Sequence, residues 1–210
     1  MPTTITRIQK TRLGRFSLYG EEGFLFSLDS ETYFSCGVEE GDTLTDNDLA
    51  ALREKSDARK AKDKALQYLS LRLYGERELY DKLCLKFDGP TSAAAVAEMV
   101  RLELLDDVRF AAQKAAWLKT RHKSRREAQR QLAEKGVDRD LIDEALDEVY
   151  GDGDEREEID RLIRRSYAAK LENGKRDAVY AALCRRGFSP RTVREALNDW
   201  ADAQQEGWDE

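Results

Sequence analysis

A pattern of about fifty residues occurs three times in this chain, and that repetition limits the fold more than any single residue does. Its clearest copy lies between Phe110 and Val149. Ser124-Arg125-Arg126-Glu127 has the form of a capping box, in which the serine hydroxyl and the glutamate carboxylate each close the other's free backbone N–H. Ala128 and Leu132 share one helical face, Gly136 stands where a left-handed C-terminal cap falls, and Asp138 precedes the stripe Ile142, Ala145, Leu146, Val149. Adding 51 to these numbers gives Val179, Leu183 and Gly187, then Val193, Ala196, Leu197 and Trp200. Subtracting 49 gives Leu79 and Leu83 and, with three extra residues in the connection, the later stripe maps to Val96, Met99 and Val100. The preceding helices also align, Leu66 and Leu69 with Ala115 and Leu118, and Val108 and Ala111 with Ile159 and Leu162.

The expected architecture is therefore mainly α: three tandem three-helix repeats forming an elongated curved body, since each repeat touches chiefly its neighbours. A small antiparallel β extension precedes them. The expected boundaries are 1–45 for the extension, 46–104 for the first helical unit, 105–150 for the second and 154–204 for the third.

In the extension, Phe16 and Leu18 alternate with polar neighbours, and Phe24, Phe26 and Leu28 share a face. Gly20-Glu21-Glu22-Gly23 reads as a four-residue hairpin connection, Ile5 to Arg12 as a first strand and Thr32 to Cys36 as a further one. Such a sheet is not stable with both faces wet. Its aromatic face either packs on the first helices or binds a partner. Thr45 or Asp46 caps a helix through Glu54, with a break at Ser56-Asp57 before helix 56–73, and Thr91 or Ser92 caps the third helix of that unit. Asp106 or Asp107 caps the next helix, which runs to about Arg121. Gly151-Asp152-Gly153 is the expected joint between the second and third units and a candidate hinge. A long helix from about Asp154 to Leu171 follows, Ser189-Pro190 opens the last helix, and the acidic tail after Trp200 is expected to fray, with Trp208 unexplained.

The net charge of −6 conceals a strong alternation. Residues 109–135 carry nine basic and two acidic side chains, a balance of +7; residues 138–160 carry two and twelve, a balance of −10; residues 161–191 return to +7. Lys119, Arg121, Lys123, Arg125, Arg126 and Arg130 form one dense cluster, Arg164, Arg165, Arg185 and Arg186 another. Solvated faces would account for such clusters singly, but their recurrence in adjacent units favours contact with a polyanion or an acidic protein. Seven phosphate contacts would weaken binding on the order of 10³-fold between 50 and 200 mM salt. Trp117, Tyr167 and Tyr180 could stack on bases, although their spacing suits core or edge positions better.

Several classes are disfavoured. Walker A, GxSxG and HExxH motifs are missing, and His122 has no neighbouring partner for a relay. Cys36, Cys84 and Cys184 are scattered, so neither a disulfide framework nor a metal site is expected, and no cofactor; Cys84 and Cys184 read as semi-buried fillers. A mean hydropathy of −0.73 and the lack of a long apolar run or signal-like start lead to the expectation of a soluble cytoplasmic monomer away from membranes.

The pattern resembles the RecX family of bacterial RecA regulators. The resemblance is carried by Ala65-Leu66-Gln67-Tyr68-Leu69, Glu78-Leu79 and Leu83; by Leu105 to Ala111 and Leu132 to Val137; and by Leu183 to Phe188 and Val193 to Leu197. It covers roughly residues 58–200. Phe87 departs from it, standing where the other copies have Gly136 and Gly187, and the loop Asp88-Gly89-Pro90 is longer. The resemblance implies a regulator, mainly negative, that binds the groove of the RecA–DNA filament and limits its extension, ATPase, strand exchange and co-protease activity. It carries no catalytic residue. The two basic clusters are the candidate contacts with the filament, on charge alone. The alternative is a helical, sequence-independent adaptor that binds single- or double-stranded nucleic acid weakly and acts without RecA.

Overall fold

The computed structural model describes residues 2–151 and 155–206. Asp152 and Gly153 of the expected hinge, Asp154 at the expected start of the next helix, and Trp208 lie outside the described residues. The chain divides into two compact units, Met1–Asp106 and Asp107–Glu210.

In the first unit the order is β1 (Thr3–Thr4), β2 (Arg7–Lys10), β3 (Phe16–Gly20), β4 (Gly23–Leu28), α1 (Ser30–Cys36), β5 (Thr43–Leu44), α2 (Asp46–Leu69), α3 (Glu76–Cys84) and α4 (Gly89–Arg101). Strands β2, β3 and β4 form an antiparallel sheet in that order, while β1 pairs with β5. Ile8 stands opposite Leu18, and Leu18 opposite Phe26, so these apolar side chains share a face. Leu18 and Leu28 are buried with Ile5, Val38 and Leu52 of α2. The sheet thus packs on the first long helix.

Several local expectations are corrected. Thr32 to Cys36 is helical, not a strand, because the Asp29 carboxylate accepts from the Thr32 N–H at 2.9 Å and from its hydroxyl at 2.7 Å. Gly20 pairs directly with Gly23, leaving a two-residue turn, and the first strand expected over Ile5 to Arg12 is confined to Arg7–Lys10. Helix α2 runs unbroken for 24 residues through Ser56-Asp57. Ser56 is buried there, its hydroxyl donating to the Ser27 carbonyl at 3.3 Å. Thr45 caps α2 in a complete capping box with Asp48. Asp88, not Thr91 or Ser92, caps α4, accepting from the Thr91 N–H at 2.8 Å.

Helix α2 serves two cores. Leu52 belongs to the sheet, whereas Ala61 and Ala65 pack with Leu79 and Leu83 of α3 and Val96 and Met99 of α4. Alanine at both contact points lets the helix backbones approach closely. Leu66 turns out to be exposed, because the true correspondence runs Ala61 to Ala111 and Ala65 to Ala115, a spacing of fifty. Val100 is likewise exposed, and Met99 takes the deep position. Phe87 packs on the edge of this core without a positive φ, so α3 ends without the left-handed glycine that follows α6 and α10. Cys84 is exposed rather than a filler.

The second unit contains α5 (Asp107–Thr120), α6 (Arg125–Glu134) and α7 (Arg139–Tyr150), then α8 (Glu155–Leu162), a π-helical turn (Ile163–Tyr167), α9 (Ala168–Glu172), α10 (Arg176–Cys184) and α11 (Pro190–Glu206). Ala111, Ala115, Leu118, Ala128, Leu132, Ile142 and Leu146 form one core; Ile159, Leu162, Ile163, Val179, Leu183, Val193 and Leu197 form the next. The long helix expected before α10 is interrupted by the π turn, whose ends, Ile163 and Tyr167, are both buried. Val108 is 54% exposed and so does not match the buried Ile159. Helix α11 opens at Pro190 and continues past Trp200 to Glu206 rather than fraying there.

Candidate functional site

The turn between α5 and α6 meets the turn between α10 and α11, which brings Arg121 and Lys123 of one basic cluster to Arg185 and Arg186 of the other. Lys123 is placed first by its own helix: its N–H donates to the Leu118 carbonyl at 3.1 Å, and His122 before it takes a left-handed φ of 53°. The Lys123 ammonium donates to the Arg185 carbonyl at 3.0 Å. The Ser124 N–H donates to the Arg186 carbonyl at 2.9 Å, and the Arg186 guanidinium returns a bond to the Arg121 carbonyl at 3.3 Å. Together these bonds join the two turns along their length.

Gly187 makes this approach possible. Its φ is +93°, and a Cβ built on it would lie 2.6 Å from the Ser124 hydroxyl and closer still to the Glu127 Cβ. The capping box expected at Ser124 is consequently only half formed. The Ser124 hydroxyl does accept from the Glu127 N–H at 3.2 Å. The Ser124 N–H, however, is used by Arg186, and the Glu127 carboxylate accepts from Arg130 and Gln131 at 2.8 Å each. The Arg130 guanidinium holds the Glu127 carboxyl at about 2, well below its ordinary range.

Beside this joint lies an open groove of about 750 Å³, whose lining includes Trp117, Arg121, Lys123, Tyr167, Arg185 and Arg186. No carboxylate is among its described lining residues. Trp117 is 49% exposed and carries the Lys114 ammonium 4.4 Å from its ring centroid and the Arg121 guanidinium at 5.4 Å. Arg186 stands 6.0 Å from the Tyr167 ring. Cations and an accessible indole on one concave surface can neutralise phosphates while a planar group stacks. Tyr167 and Tyr180 belong to the core of the third repeat, which leaves Trp117 as the exposed member of the three aromatic candidates.

The other candidate residues fall elsewhere. A second cavity, of about 520 Å³, shares Lys123 with the groove and is lined by Lys119, Arg125, Arg126 and Arg161, but also by Glu155, Glu157 and Glu158. Lys119 donates to the Val149 carbonyl there, and Arg125 pairs with Asp147 at 2.5 Å. Tyr150 lines this cavity too, donating to the Lys123 carbonyl at 3.2 Å; burial, and secondarily the Glu158 carboxylate, pushes its phenol up to about 12. Arg126 is exposed. Arg130 is engaged by both Glu127 and Glu134 on its own helix, which offsets its charge. Arg164 and Arg165, exposed on the π turn, line a separate groove with Glu157 and Asp160.

Acidic residues also brace the joint. Glu155 accepts from the Ser189 N–H at 2.9 Å and the Thr192 hydroxyl at 3.2 Å, serving the start of α11 from another helix. Arg156 pairs with Asp160 and Asp199, and Glu158 lies 3.6 Å from His122. Glu155, Glu158 and Asp160 of the −10 run are therefore engaged within the protein.

Two family models match this arrangement of helices. The RecX first three-helix domain matches residues 61–99, and the RecX second three-helix domain matches residues 106–146. The regulatory protein RecX of Caldanaerobacter subterraneus subsp. tengcongensis is 26% identical over 196 residues, covering 92% of this chain and 98% of that protein. These matches make the chain similar to the RecX family. The RecX of Bacillus subtilis is 28% identical over 204 residues, 92% of this chain and 76% of its own length. A crystal structure of a regulatory protein RecX shares the fold, with a TM-score of 0.59 at 22% identity over 94% of this chain and 99% of that one. RecX is a family of regulatory proteins, and no helix among the described residues of this chain is long and apolar enough to cross a membrane.

Proposed function

We propose that this RecX-like chain regulates RecA, mainly negatively, by binding in the groove of the RecA–DNA filament in the cytoplasm. Occupying that groove would limit filament extension and with it ATP hydrolysis, strand exchange and co-protease activity. The protein would need no chemistry of its own and no cofactor. It acts as a monomer in this reading.

The observation that carries the proposal is the convergence of Arg121 and Lys123 with Arg185 and Arg186 on one carboxylate-free groove beside Trp117. A filament offers phosphates along its DNA and protein on either side, and such a groove can engage the phosphates without reading bases. The decisive test is ATP hydrolysis by RecA on single-stranded DNA, with the protein titrated below one copy per RecA. Inhibition at substoichiometric ratios, without sequestration of the DNA, is expected.

The accessible indole also favours a second reading, a sequence-independent nucleic-acid adaptor acting without RecA. That reading predicts inhibition only when the DNA itself is saturated, and equal affinity for bare DNA and for filaments.

A further inference from the structure

A second surface lies in the first unit, on the β extension. Leu13 is 90% exposed at the turn between β2 and β3, and Phe34 is 73% exposed on α1. The two belong to one patch. The Ser30 hydroxyl donates to the Gly14 carbonyl at 2.7 Å, which seats the turn on α1, and Phe34 lies one helical turn beyond Ser30 on the same side. Phe16 joins them from the sheet. Its ring stacks on Tyr33 with centroids 3.9 Å apart and meets Phe34 edge to face at 5.4 Å. A rigid aromatic base thus supports two apolar side chains that the fold itself does not bury.

The rim is cationic. Residues 1–20 include Arg7, Lys10, Arg12 and Arg15 and no acidic side chain. Lys10 lies 5.8 Å from the Phe16 ring, and neither Lys10 nor Arg12 has a carboxylate partner among the described residues. Arg15 is occupied inside the unit by the Ser27 carbonyl and the Ser56 hydroxyl. Two features separate this surface from the groove in the second unit. Leu13 has no ring to stack on a base, and Phe16 and Tyr33 spend their faces on each other. Exposed aliphatic and aromatic anchors with a small cationic rim suit a protein surface carrying apolar side chains and carboxylates.

We propose that the patch Leu13–Phe16–Phe34, rimmed by Lys10 and Arg12, docks an acidic, apolar protein segment. Resting on the function proposed above, that segment belongs to RecA, so the extension grips the protein of the filament while the groove takes its nucleic acid.

The test measures binding of the full chain to purified RecA without DNA and, separately, to a thirty-residue oligothymidylate. Leu13→Ser/Phe34→Ser replaces exposed side chains only, and far-UV circular dichroism checks that it is folded. Its affinity for RecA should fall at least about tenfold, with oligothymidylate affinity unchanged. Lys10→Glu/Arg12→Glu should weaken RecA binding in the same direction and flatten its dependence on salt. Wild-type and serine variants binding RecA equally would overturn the docking surface while leaving the regulator reading intact. Loss of oligothymidylate binding would make the patch a nucleic-acid surface, and a change in oligomeric state would assign it to a second copy of this chain; either overturns the proposal. If the wild-type chain binds RecA in neither its free nor its filament form, the regulator reading falls and takes this inference with it.

Discussion

Replacing Gly187 by alanine should separate the second and third repeats more effectively than removing any single charge. The backbone there has φ +93°, a region that costs an L-residue about 1–2 kcal/mol. The new methyl would also lie 2.6 Å from the Ser124 hydroxyl and 3.2 Å from the Glu127 Cα, with the Glu127 Cβ nearer than either. Backbone on one side and a capped helix start on the other leave little room for relief, and overpacking of this kind costs about 1–3 kcal/mol. The sum is roughly 3 kcal/mol. Gly174→Ala supplies the control, because Gly174 has φ +70° but nothing within 4 Å of a Cβ, so only the backbone cost of about 1–2 kcal/mol applies. Urea unfolding followed by tryptophan fluorescence should place Gly187→Ala about 2 kcal/mol below Gly174→Ala. Equal stabilities for the two variants would refute the claim that close approach, beyond the backbone angle, makes Gly187 necessary.

Three further outcomes follow from the same geometry. Binding to single-stranded DNA through Arg121, Lys123, Arg185 and Arg186 should weaken about fifty-fold between 50 and 200 mM salt, well short of the thousand-fold that seven contacts would produce, and Arg185→Glu should reduce the slope of log affinity against log salt by about one. Ser92→Ala should raise stability by about 1 kcal/mol in thermal unfolding, since the Ser92 hydroxyl is fully buried in α4 without a hydrogen-bond partner among the described residues. Glu127, held at about 2 against an ordinary 4.5, contributes stability that is complete above the higher value and is lost as the pH falls through the lower one. Glu127→Gln should therefore flatten the stability curve between about pH 4.5 and 2, and an unchanged acid limb would show that the Arg130 pairing does not survive in solution.

Much of this was legible in the residues themselves because it depends on short-range rules. Leu79, Leu83, Ala128, Leu132, Val179 and Leu183 recur at helical spacing, and all six are buried. Asp138 and Pro190 start helices where their chemistry predicts, and Gly136 and Gly187 take the left-handed backbone expected of C-terminal caps. The alternation of charge along the second unit is likewise a property of the sequence alone, and so is the family resemblance that the matched domains establish.

What only the tertiary structure decided are the questions that two distant segments answer jointly. Thr32 to Cys36 has the composition of a strand, yet a capping carboxylate on Asp29 and the sheet beneath it select a helix. Leu66, Val100 and Val108 fit the repeat by number but not by angle, since one residue of slip turns a side chain by about 100° around its helix and moves it from core to solvent. The partner of the Ser124 N–H is a carbonyl 62 residues away, where local sequence would assign it Glu127. The ten basic residues read as equivalent along the chain; the fold gathers Arg121, Lys123, Arg185 and Arg186 in one groove, pairs Arg130 on its own helix and leaves Arg164 and Arg165 on another surface. Helical periodicity is written into neighbours three and four residues apart, whereas convergence of charges depends on how finished helices dock, and that is set by the whole core at once.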